Sequence, residues 1–273
     1  MWYYNEPKSG RIASGTYKDL PCIGEGLVSG NIRCERLSTI GSFRALTAQN
    51  PDSDEPVTME CRRVYISGLY EVPVTITSNA LFYERSEFYG DLFASGELVI
   101  RKSFHGEGKL QAKRIAITGP ADFRGPLLGS SLKVKGALSI GDIACQEMNT
   151  CGRLTAGKIV GKDISIRFIE RCHCATVQGA RVHIARNDRS LFGKFLFSSW
   201  DEEYSIMTVS GDIRGDYVDL SHVQASTVIG NDVTIGPGCM IDCVRYRDHI
   251  YIDDGALVSR FEPFTGTPDN PKR

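Results

Sequence analysis

Apolar and polar positions along the chain follow one short pattern, repeated eight times. An apolar anchor is followed two residues later by a small or modest side chain, and five or six residues later by a second apolar one. The anchors are Ile32, Met59, Leu92, Leu110, Leu132, Leu154, Val177 and Ile213. The compact positions are Cys34, Cys61, Ala94, Ala112, Val134, Ala156, Gly179 and Gly215, and the second apolar column runs Leu37, Val64, Leu98, Ile115, Leu138, Ile159, Val182 and Val218. The residue just after each anchor is polar, with Phe93 the exception. Side chains that alternate at period two belong to strands, and a strand motif recurring this often marks a solenoid.

Between Leu92 and Val177 the anchors fall 18, 22, 22 and 23 residues apart, which is one coil of about three short strands with no room for a helix. Parallel strands joined by crossovers are normally right-handed. The sequence therefore predicts an all-β, single-domain, right-handed parallel β-helix of about 8–10 coils. Residues 1–28 read as an N-terminal cap, 29–261 as the solenoid, and 262–273, which are Pro-rich and polar, as a loose tail. The long gaps read as insertions near 48–56, 77–89 and 187–204. The last is rich in Phe192, Phe195, Phe197 and Trp200, at spacings that fit one face of a short helix. It covers part of the solenoid or offers a docking surface for a partner protein or a membrane interface.

Composition narrows the function. The 273 residues carry 32 basic and 33 acidic side chains, a net charge of −1, so no global field draws the protein to nucleic acid. No apolar run approaches the roughly 20 residues needed to cross a bilayer. The opening MWYYNEPKSGRIASG lacks the apolar region of a signal peptide, which points to the cytoplasm. Nine cysteines are an odd number; Cys34 and Cys61 stand in the compact column and read as core residues. Cys172, His173 and Cys174 form the best metal candidate, but neighbours on a strand point to opposite faces and no second ligand pair accompanies them. No metal or cofactor is expected.

Catalytic constellations are equally thin. There is no nucleophile elbow, phosphate loop or HExxH motif. Ile229, Ile235 and Ile241 keep a six-residue step, the rhythm of hexapeptide acyltransferases, for which His222 and His249 would be the general-base nominees. Polysaccharide-cleaving β-helices line a wall with acidic residues. Here Asp212 with Asp216 and Asp253 with Asp254 are not repeated on adjacent coils. A non-enzymatic protein is expected.

SGNIRCERLSTIGS, GKLQAKRIAITG, SSLKVKGALSIGD and the closing VIGNDVTIGPGCMIDCVRY together resemble the bactofilins, bacterial polymer-forming cytoskeletal proteins, and in particular their longer members. The resemblance covers roughly Ser9 to Phe261. It implies nucleotide-free, end-to-end self-assembly into a scaffold on the inner side of the envelope, with wall-associated or morphogenetic partners and peripheral membrane association. On that reading the aromatic residues Trp2, Tyr3, Tyr4, Phe261 and Phe264 are the polymerisation contacts. A monomeric module that recruits a partner through 187–204 is the alternative, and acyl transfer a second one.

Overall fold

The computed structural model describes residues 8–28, 30–45, 59–71, 74–187, 205–268 and 270–272. It is a parallel β-solenoid of about 12 turns and 83% strand. Among the described residues there is no helix, and so none long and apolar enough to cross a membrane.

Two compact units divide the chain, Met1–Ser130 and Ser131–Arg273. Each coil of a solenoid touches only its neighbours, so such a chain can divide without a change of fold. Unit 1 holds β1 (Lys8–Ile12), β2 (Gly15–Val28), β3 (Ile32–Ala45), β4 (Met59–Glu71), β5 (Val74–Tyr89), β6 (Leu92–Ile100), β7 (Phe104–Glu107), β8 (Leu110–Ile117) and β9 (Ala121–Arg124). β10 (Leu127–Ile140) contains the boundary in its sequence. Unit 2 holds β11 (Ile143–Phe168), β12 (Cys172–Arg186), β13 (Met207–Leu220), β14 (Val223–Ile235), β15 (Met240–Ile252), β16 (Leu257–Pro263), β17 (Thr265–Thr267) and β18 (Asn270–Lys272).

The pattern read from the sequence is one side of a three-sided coil. In β12 the inward residues are Cys172 and Cys174, then Val177 and Gly179, then Val182 and Ile184. Alternation places two residues of each side inward, and a three-residue jump at each corner resets the phase. Successive coils stack in parallel register, as Ile159, Val177, Ile213, Val228 and Val244 do. Partners on adjacent coils are 15 residues apart at Asn231 and Asp216, 16 at Lys158 and Asp142, and 18 at Lys109 and Asp91.

That short step corrects the expected count of 8–10 coils. The Leu110 column continues at Leu127, because the Leu110 N–H donates to Pro126 O and Gly129 lies over the Ala112 carbonyl. Leu154 belongs to another column: its N–H lies 3.1 Å from Cys172 Sγ. The interval from Leu110 to Val177 divides as three steps of about 22 or four of about 17, and the three-sided coil offers a plausible anchor on every side.

Two expected irregularities are ordinary rungs. From Lys8 onward the supposed cap is β1 and β2, the latter pairing with β3 from Gly15–Ile32 to Val28–Ala45. Glycine at the anchor site and Tyr17 at the compact site hide the motif. The supposed insertion 77–89 lies within β5, whose Val74, Ile76, Ala80 and Phe82 are buried and paired with both β4 and β6. The expected insertion 48–56 lies outside the described residues, as does 187–204 beyond Asn187.

The core of unit 1 contains a cluster of four aromatic rings. Phe82 meets Phe104 edge-on at 5.0 Å between centroids and Phe88 at 6.3 Å, and Phe104 stacks on Phe123 at 5.6 Å. All four are buried. In unit 2 the compact column runs through Gly161, Gly179, Gly215 and Gly230, and the branched side chains of Ile164, Val218 and Val233 fill the space a Cβ would take.

Candidate functional site

Two features of unit 2 stand out. The first is an open groove of about 700 Å³ on the outer wall. Its floor is strand backbone at Leu132, Met148, Ile164, Val182 and Val218, whose side chains point into the core. Its rims are the two outward columns that alternation leaves beside that floor. One rim runs Asp163, Arg181, Tyr217, Asp232 in register, and the other Ser165, His183, Asp219, Thr234. Glu147 extends the first rim and Lys133 and Asn149 the second.

Several polar groups in the groove are paired across adjacent coils. Arg181 donates to Asp163, a hydrogen bond that holds the guanidinium pKa above its usual value. His183 Nδ1 lies 2.9 Å from Asp219 Oδ2, and His249 Nδ1 lies 2.7 Å from Asp232 Oδ1. An ionised carboxylate only accepts, so each Nδ1 carries the proton, and Nε2 of a neutral ring is left as an acceptor. Tyr217 stands 58% exposed between the paired groups.

The second feature is the last rung. Phe261 of β16 stacks on Val244 in the core column, yet it is 58% exposed while Val244 is fully buried. Among the described residues β16 pairs only with β15, so its other edge is unpaired. Among the described residues the chain beyond does not pair with this edge. β17 and β18 form an antiparallel hairpin where the sequence predicts a loose tail, and they turn back along the wall. The Phe264 N–H donates to Tyr246 O, Arg247 donates to Gly266 O, and Pro268 reaches the cleft beside Gly161, Gly179 and Gly215. A three-residue strand is too short to show alternation in the sequence.

The structure thus separates Phe261 from Phe264. Phe264 is 5% exposed, with the Arg245 guanidinium 6.0 Å above its ring, and it anchors the hairpin. Arg245 Nε also lies 3.1 Å from Glu262 Oε1, within ion-pair range but misaligned for a hydrogen bond. Beside them Ile229, an outward residue, is buried. Trp2, Tyr3 and Tyr4, and the docking candidates Phe192, Phe195, Phe197 and Trp200, lie outside the described residues.

Other candidates do not converge. Cys172 and Cys174 are buried side by side, whereas His173 is on the surface with Nε2 3.3 Å from Ser210 Oγ. Burial pushes the Cys172 thiol up to about 11 and that of Cys174 to about 12. Cys34 and Cys61 are buried in register, Sγ to Sγ 3.1 Å. His222 is a corner residue with φ of 57° and its Nδ1 2.8 Å from Ser221 Oγ. His249, the other acyl-transfer nominee, is held by Asp232.

Reading the sequence alone misses the groove and finds no acidic residue repeated on adjacent coils. The structure corrects this. Gly161 lies over the Cys145 carbonyl, so Glu147 and Asp163 occupy the same rim position on neighbouring coils. The signal was present at a step of 16 residues, but a step of 22 scatters these side chains.

Comparison with known proteins adds little. No family model matches the chain, and no solved structure matches it. The chain is similar to the Uncharacterized protein YhbE of Bacillus subtilis (strain 168), 44% identical over 46 residues. The matched stretch is 17% of this chain and 19% of that relative's length.

Proposed function

We propose that the protein is a non-enzymatic scaffold that self-assembles end to end without nucleotide and positions envelope-associated or morphogenetic partners, as its resemblance to the bactofilins implies. The observation that carries this reading is the last rung. Phe261 sits in the core column and is mostly exposed, on a strand whose outer edge has no partner among the described residues. A further coil added there, from a second copy, continues the backbone ladder and covers the aromatic ring. At about 25 cal/mol per Å², a few hundred Å² of apolar contact contributes several kcal/mol before association entropy is subtracted.

Purified full-length protein is expected to form filaments or sheets in negative stain, and to sediment faster as its concentration rises, with no nucleotide added. Phe261→Arg places a charge that a packed end contact would bury without a partner, a cost of several kcal/mol, and should return the protein to monomer with an unchanged circular dichroism spectrum. Phe93→Arg, on the side wall of unit 1, should leave assembly intact. A wild-type protein that stays monomeric at every concentration, or a Phe261→Arg variant that still assembles, overturns the proposal.

A further inference from the structure

We infer that the groove of unit 2 is a binding site for an extended, uncharged glycan chain. Three properties select that class. The first is length. The groove crosses six coils, from Ser131–Lys133 to Asp232–Thr234, which at about 4.8 Å per coil is a trough of roughly 24 Å, open along its course. A linear polymer fits such a site, where a compact metabolite would leave most of it wet.

The second is charge. Asp163, Asp219 and Asp232 are each hydrogen-bonded to a side chain on an adjacent coil, namely Arg181, His183 and His249. Three of the four carboxylates in the groove, Glu147 being the fourth, are thus already hydrogen-bonded, so a cationic ligand would compete with Arg181 and the two imidazoles for them. The groove lacks the stripe of unpaired Lys and Arg that nucleic acid requires, and a polycation would have to displace pairs already formed. Hydroxyl groups, which both donate and accept, can join such pairs without breaking them.

The third is the form of the polar groups. Carboxylate, guanidinium and imidazole are planar and fixed by one another, so they present preorganised hydrogen-bonding directions and lose little side-chain entropy on binding. The exposed ring of Tyr217 supplies an apolar plate against which the C–H face of a pyranose can lie, with its hydroxyl toward water. An added peptide strand is a poor alternative, because the floor backbone already pairs with the coils on both sides.

Isothermal titration of the full-length protein with cellohexaose, chitohexaose and laminarihexaose tests the inference, the three differing in linkage and substituent. At least one hexasaccharide should bind, roughly tenfold tighter than its trisaccharide. Tyr217→Ala should weaken it roughly tenfold or more, while Tyr217→Phe keeps the affinity within about threefold. Arg181→Ala should weaken it as well. Running the same titrations on Phe261→Arg protein separates this site from end-to-end assembly, and binding there should be unchanged. No binding of any hexasaccharide at about 10 mM, where even weak affinity would register, overturns the inference. So does wild-type affinity in Tyr217→Ala, or preferential binding of hexalysine.

Discussion

Cys174 shows how much one side chain carries in this fold. It occupies an inward position between Ala156 and Val209 on the adjacent coils, and burial pushes its thiol up to about 12 from an ordinary 9.0. Burial likewise pushes Cys145, Cys172 and Cys239 up to about 11. A raised pKa means that the folded state holds the proton where the unfolded chain loses it. Stability is therefore full below pH 9.0 and falls as pH rises toward 11–12, by about 1 kcal/mol per thiol per pH unit. Urea unfolding of wild type and Cys174→Ala at pH 8, 9 and 10 checks this. The variant starts less stable, having lost a buried sulfur, but should lose less between pH 9 and 10 than wild type does. Parallel declines would mean that Cys174 ionises no later in the folded protein than in the unfolded one.

Elements inherit their stability from stacking, and the aromatic stack in unit 1 is the clearest case. Phe104 on β7 touches Phe82 of β5 on one side and Phe123 of β9 on the other. β7 and β9 are only four residues each, so the ladder alone holds them weakly. Phe104→Ala should cost about 3–5 kcal/mol, read as a lower urea midpoint. Fast amide exchange in Phe104–Glu107 and Ala121–Arg124, with β12 unchanged, would localise the loss. Exchange that rises equally in β12 would contradict it.

Such short elements also explain what the sequence could and could not reveal. The stacks Ile32 on Met59, Leu92 on Leu110 and Val177 on Ile213 were legible, because inside one side of a coil alternation fixes which residues face inward. The number of coils between Leu110 and Val177 was not, since each of three sides repeats the same motif and phase can slip from one to another. Val74 was missed as an anchor because polar Ser78 and Asn79 follow its side at the corner. Phe261 was legible as an apolar residue near the terminus of the pattern, and the structure places it in register with Val244 on β16. The groove depends on register over six coils, so an error of a few residues per coil erased it.

At the scale of the whole molecule, the character of the proposed end contact sets how the proposed assembly should answer to solution conditions. Alternation points Phe261 into the column of Val244 and turns its neighbours Arg260 and Glu262 sideways out of the wall. A copy added to this rung would meet backbone groups and an apolar ring, with the charges at the rim. Rim charges are screened at about 1 M salt, where the Debye length is roughly 3 Å, whereas apolar burial is not. Assembly of the wild-type protein should therefore persist in about 1 M sodium chloride, strengthen in ammonium sulfate and weaken on cooling. Sedimentation at a fixed protein concentration measures all three. Dissolution by sodium chloride would place the contact on the charged wall instead, and would leave the exposure of Phe261 without a role in assembly.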